Sequence, residues 1–255
     1  MKSRLIVLIS LLLLVYGCEK KTTAPDETTE IELSDTEQID IVAAEIAADN
    51  GGIMADVAMA SAISSEGYGN LAKSSSCDTT FTKGWITYSL SLAFYTAQNL
   101  EQNWYIPTIT DKIVYNGLLN GQHSTQNPQQ EISLNKGASL VITGIISNIL
   151  AINGTATNNS YYKFSGIRTD LETQVQSSYM VTDLVIDQNT SPYIPQDGKL
   201  ECSFHGTYTK EGVIKAKDVE YTFTTTIEFN GGTQVKVTLP SGNQFTLDIM
   251  TGDIS

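Results

Sequence analysis

The chain has 255 residues, 41% of them hydrophobic and 17% charged, with a formal net charge of −13. That much apolar side chain can bury the core of one large domain or two small ones, which excludes global disorder. The acidity argues against binding nucleic acid or an anionic headgroup surface through charge, since both need a basic patch.

Lys2 and Arg4 form a short basic start, residues 5–15 are apolar apart from Ser10, and Gly17 precedes Cys18. This is the order of a signal peptide: charged start, apolar run, small residue before the cut. A run of about 11 apolar residues is too short to span a bilayer, which takes about 20. The stretch Leu14-Val15-Tyr16-Gly17-Cys18 resembles the lipobox of bacterial lipoprotein signal peptides, with Tyr16 standing where a small residue is usual. The resemblance covers residues 1–18 alone. It implies that the Cys18 thiol receives a diacylglyceryl group, that residues 1–17 are removed, and that the membrane is engaged through the N-terminal lipid. Several acyl chains anchor durably where one binds marginally. Losing Lys2 and Arg4 takes the net charge from −13 to about −15. Glu19 rather than Asp follows the lipidated position; in enteric bacteria Asp there is similar to an inner-membrane retention signal, so the outer membrane is expected, with its periplasmic or surface face open.

Residues 18–33 are polar, charged and Thr-rich and read as a flexible tether. Ser34-Asp35-Thr36-Glu37 is a capping box, and Ile39, Val42, Ala43 and Ile46 follow at helical spacing. Asp49-Asn50-Gly51-Gly52 stops that helix, and a second, Ala/Met-rich helix is predicted from Ile53 to about Ser64, with Ile53, Val57 and Ala60 on one narrow stripe. Residues 34–65 are thus expected to form a helical hairpin packed on a sheet. Residues 64–78 read as a loop.

From residue 79 the period becomes two. Ile86, Tyr88, Leu90, Leu92 and Phe94 alternate with polar or small residues, as do Leu200, Cys202, Phe204 and Tyr208. The end of the chain reads as a three-strand meander: an alternating run from Val219 to Phe229, the turn Asn230-Gly231-Gly232, then Val235, Val237 and Leu239, the turn Pro240-Ser241-Gly242-Asn243, and Phe245, Leu247 and Ile249. Between these anchors, residues 103–107, 111–119, 138–152, 160–167 and 173–187 are predicted strands, with Asn116-Gly117, Asn120-Gly121 and Asn153-Gly154 as candidate turns and residues 187–199 as a loop. The expected fold class is α+β, mainly antiparallel β: about ten strands over residues 79–255 in a curled sheet or partial barrel, forming with the helices one globular unit over 34–255.

Chemistry-bearing residues are sparse. If Cys18 is lipidated, Cys77 and Cys202 remain as a pair that an oxidising compartment could join. That disulfide would close a loop of about 125 residues, worth ~4–5 kcal/mol in the chain-entropy model. Two unpaired thiols are the other outcome. His205 lies on the polar face of its strand near Ser203, and His123 lies in Gly121-Gln122-His123-Ser124-Thr125, without the G-x-S-x-G turn that would mark a nucleophile. Two histidines and two cysteines spread over residues 77–205 lack zinc spacing. Asp187-Gln188-Asn189-Thr190-Ser191 begins like a calcium loop, but Pro192 and Gly198 stand where Gly and Glu are needed. No cofactor, metal or catalytic set is assigned. Trp85, Trp104, Tyr105, Tyr161, Tyr162 and Tyr193 could line a carbohydrate or peptide surface, or simply pack strand faces. The expected function is a lipid-anchored cell-envelope protein with a non-enzymatic binding or structural role towards an unknown protein, glycan or lipid partner, with no nucleic acid. A carrier for a hydrophobic ligand in a sheet cavity is the alternative, and a secreted hydrolase of envelope polymer or glycan the third.

Overall fold

The computed structural model describes residues 33–66, 78–126, 129–165, 171–210 and 219–255. Among the described residues two helices, α1 (Asp35–Ile46) and α2 (Ile53–Glu66), precede eleven strands. The strands are β1 (Thr79–Lys83), β2 (Ile86–Thr96), β3 (Glu101–Gln102), β4 (Thr110–Gln126), β5 (Gln129–Thr143), β6 (Ile149–Ser165), β7 (Leu171–Asp187), β8 (Pro195–Lys210), β9 (Val219–Glu228), β10 (Gln234–Thr238) and β11 (Gln244–Asp248). All belong to one antiparallel sheet that follows chain order from β1 to β11, except that β3 pairs off the path with β2, and the sheet does not close on itself. The α+β class and the dominant antiparallel sheet are as read from the sequence, with one strand more.

The capping box forms as its residues dictate. The Glu37 amide donates to Ser34 Oγ at 3.3 Å, and the Ser34 amide donates to Glu37 Oε2 at 2.8 Å. The turn between the helices is held by the far end of the chain: the Ala48 and Asp49 amides donate to the carbonyls of Ile249 and Met250 at 3.0 and 2.9 Å. The spacing predicts a narrow apolar stripe on each helix, but burial goes almost all the way round. Ile39 to Ala47 are all buried, and so are Ile53 to Val57. A helix enclosed on most sides needs no amphipathic pattern, which is why a single stripe understates its burial.

Every long strand buries one face. Ile113, Tyr115 and Leu119 of β4 lie in the core with Ile132, Leu134, Leu140 and Ile142 of β5 and Leu150, Ile152 and Tyr162 of β6. The terminal meander forms, with Val237 opposite Ile227 on one side and Phe245 on the other.

The Asn-Gly pairs at 116–117, 120–121 and 153–154 are not turns. β4 runs unbroken through Asn116-Gly117 and Asn120-Gly121, and Asn153-Gly154 lies inside β6 at a bulge. These glycines make room for neighbours. A Cβ on Gly117 would sit 2.5 Å from the Tyr115 hydroxyl, and one on Gly121 would sit 2.8 Å from the Trp85 ring. Gly154, at φ +150°, would place a Cβ 2.2 Å from the Ser139 carbonyl oxygen. The run 138–152 is two strands, parted at residues 144–148 where Gly144 takes φ +80°. Residues 103–107 form no strand, and β8 starts at Pro195 inside the expected loop.

Candidate functional site

Cys18, the lipidation candidate, and Cys77 lie outside the described residues. Cys202 is a buried free thiol on the inner face of β8, not part of a disulfide. Burial pushes its thiol well above the ordinary range, with the charges of Glu45 and Glu201 adding to the effect. The histidines stand apart. His205 Nδ1 pairs with Thr222 Oγ1 at 3.0 Å, and the His123 ring stacks on Trp85 with centroids 5.4 Å apart. Nor do the aromatics converge. The Tyr105 hydroxyl donates to the Ser64 carbonyl at 2.7 Å, Trp104 is exposed, and Tyr162 is wholly buried. Asp187 closes a local turn by accepting from the Asn189 amide at 2.9 Å. Among the described residues no group of three or more His, Cys, Asp or Glu side chains gathers as a metal site, and no helix is long and apolar enough to cross a membrane.

The structure instead brings together two polar clusters that sequence reasoning missed, both buried between the helices and the inner face of the sheet. At the end of α1, the fully buried Glu45 carboxylate accepts from five side chains. Asn158 Nδ2 donates at 3.1 Å and the Tyr162 hydroxyl at 2.8 Å, and the hydroxyls of Ser160, Ser177 and Tyr179 complete the set. Burial first, then the Glu45 charge, raises the Tyr162 and Tyr179 phenols well above the usual tyrosine range. At the start of α2, Asp56 meets Lys136 of β5 at 2.7 Å, both side chains fully buried. Lys136 Nζ also donates to the carbonyls of Gly51 and Gly52 at 2.6 and 2.5 Å, and the Tyr115 hydroxyl donates to Asp56 Oδ1 at 3.1 Å. A buried charge is tolerated only with such partners. A signal was present in the sequence: Lys136, Asn158 and Ser160 fall in phase with the apolar residues of their strands, and Glu45 and Asp56 fall among apolar neighbours in the helices. These atoms are enclosed and, apart from Asn158 Oδ1, paired within the clusters, so their arrangement fastens the helices to the sheet and presents no reactive group to a ligand.

The opposite face of the sheet is open to solvent and differs in chemistry. One row across β4–β8 reads Leu118, Gly137, Thr157, Ser178, Ser203. The next reads Asn120, Asn135, Asn159, Gln176, His205, and every one of these five is exposed. The rows continue onto β1 and β2 as hydroxyl pairs, Thr80 with Ser89 at 3.1 Å and Thr82 with Thr87 at 3.2 Å. Neither row holds an Asp, Glu, Lys or Arg, and His205 is their one titratable side chain; the ions lie further along the strands, as in the Lys163–Glu172 pair at 3.4 Å, or beside β1, where Asp78 stands. Two open depressions, of about 670 and 600 Å³, share Leu118, Gly137 and Thr157, so they form one continuous groove. Tyr161 flanks it, its phenol pushed up to about 12 by burial and by Glu172. No family model matches this chain, and no curated protein or solved structure matches it.

Proposed function

We propose that this chain is a lipid-anchored bacterial cell-envelope lipoprotein with a non-enzymatic binding role, tethered through Cys18 and using the open face of its sheet as the binding surface. The anchor rests on the leader: a basic start, a short apolar run, and Gly17-Cys18 followed by a polar, Thr-rich segment. The binding role rests on the groove across β4–β8, a broad accessible depression whose lining can hydrogen-bond to a partner. The outer membrane is the expected address.

A carrier for a hydrophobic ligand has less support. We infer that the helix pair fills the hollow of a curled, unclosed sheet, because α1 and the start of α2 are buried on nearly every side. An apolar ligand would have to displace helices held by the Lys136–Asp56 pair and the five donors on Glu45. A hydrolase has less still, since His123, His205 and the buried carboxylates point into different environments.

Expression in a Gram-negative host tests the anchor. The expected result is a wild-type chain in the membrane fraction whose mass carries the diacylglyceryl group, and a Cys18→Ala chain that is released or retains its leader. A wild-type chain of unmodified mass in the soluble fraction would overturn the proposal.

A further inference from the structure

The geometry points to a neutral polysaccharide as the ligand of the outer groove, laid across the strands along the two uncharged rows; this rests on the binding role proposed above. The charge pattern argues first. In a chain of net charge −13, two adjacent rows cross five strands with no Asp, Glu, Lys or Arg, His205 being their one titratable side chain. A phosphate- or uronate-bearing polymer would find no lysine or arginine to meet it there and an acidic molecule around it. A hydroxyl-rich neutral polymer loses nothing to that field.

The donor and acceptor chemistry argues second. Carboxamides such as Asn135 and Gln176 offer both donors and acceptors, as do Thr157 and Ser178, and a sugar hydroxyl also needs both. An extended peptide would instead seek free backbone groups, and on this face those groups are already paired in the strand ladders. Length argues third. Strands spaced ~4.8 Å apart carry the rows over about 19 Å from β4 to β8, room for several sugar rings in line. Leu118, 57% exposed in the middle of the groove, supplies an apolar contact for the C–H face of a ring.

Gly137 gives the decisive variant. A Cβ there would meet only Leu118 Cδ2 at 3.5 Å and Thr157 Oγ1 at 4.0 Å, both ordinary contacts. Gly137→Ile therefore fits the sheet, raises strand propensity and fills the groove. The experiment is calorimetric titration of the full chain in detergent with neutral hexasaccharides of glucose, xylose, mannose and N-acetylglucosamine, and with hexagalacturonate. The expected result is saturable binding of at least one neutral oligosaccharide, unchanged between low and high salt. Gly137→Ile abolishes it with the thermal midpoint kept or raised, and Asn135→Ala with Gln176→Ala weakens it about tenfold or more. Absence of binding to every neutral sugar, preference for hexagalacturonate, or full binding by Gly137→Ile overturns the inference. So does a chain dimer that Gly137→Ile dissociates, which would make the face a self-association surface. In each of these cases the membrane fractionation of the Cys18 variants still reports independently on the lipid anchor.

Discussion

Glu45→Ala should strongly destabilise the fold. The carboxylate is fully buried and takes hydrogen bonds from Asn158, Ser160, Tyr162, Ser177 and Tyr179, which belong to β6 and β7. Truncation to Ala removes the acceptor these donors share and opens a cavity. Ser177 and Tyr179 keep each other at 2.7 Å and Ser160 keeps the Val175 carbonyl at 3.5 Å, but the Asn158 amide loses both of its carboxylate acceptors. An unsatisfied buried polar group costs about 1–3 kcal/mol, and with the cavity added the expected loss is ~2–5 kcal/mol, a large share of the ~5–15 kcal/mol stability of many domains. Glu45→Gln separates charge from shape. Its carbonyl oxygen keeps the acceptor role towards one group of donors, and the amide faces hydroxyls that can rotate to accept, so the expected cost is about 1–3 kcal/mol. The assay is urea unfolding followed by far-ultraviolet dichroism, with native-like near-ultraviolet signal as the criterion of folding. A Glu45→Ala chain that unfolds cooperatively with less than about 1 kcal/mol lost would refute the reasoning, since donors that stay satisfied without Glu45 cannot be desolvated by it.

Lys136→Met leaves Asp56 buried without its cation and should cost about 3–5 kcal/mol, while Lys136→Met with Asp56→Leu should recover much of the loss; a urea-denaturation double-mutant cycle reads the difference. Tyr115, Tyr162 and Tyr179 are raised in the folded chain, so their contribution is fully present below the ordinary tyrosine value of about 10 and is lost as pH climbs from there towards the folded values. Titration at 295 nm should therefore show these phenols ionising only together with loss of the dichroism signal, and a smooth transition of all tyrosines near pH 10 in a folded chain would contradict the burial. Cys202, buried and with its thiol raised, should resist iodoacetamide at neutral pH and react fully in urea; peptide mapping of residue 202 after brief native labelling checks it.

The strands were legible because a sheet with one dry face writes its burial directly into the sequence: Val219 to Phe229 alternates residue by residue, and β9 buries alternate positions. The capping box was legible for a similarly local reason, since Ser34 and Glu37 answer each other within one turn. What misled was the double use of glycine. Asn116-Gly117 has the letters of a hairpin turn, yet its glycine shelters the Tyr115 ring, a demand made by a side chain and invisible to turn chemistry. The Glu45 cluster was hidden because it depends on which strands lie beneath α1, information that separate stretches of chain do not carry. The groove was half legible: polar alternation showed an outer face, but only strand register lines up Asn120, Asn135, Asn159 and Gln176 in one row.

The reach of the Glu45 hydrogen bonds bears on how the chain comes to be built. Its partners lie 113 to 134 residues downstream, so a ribosome that has just finished α1 has made none of them. Until β6 and β7 exist, the first helix has a carboxylate it cannot bury. Docking of the first helix must wait for the middle of the sheet, and the docking of Ala48 and Asp49 on Ile249 and Met250 waits for residues later still. Such long-range closure slows folding. Under the export proposed above, that delay would have a use: the polypeptide would stay open while it is still being threaded.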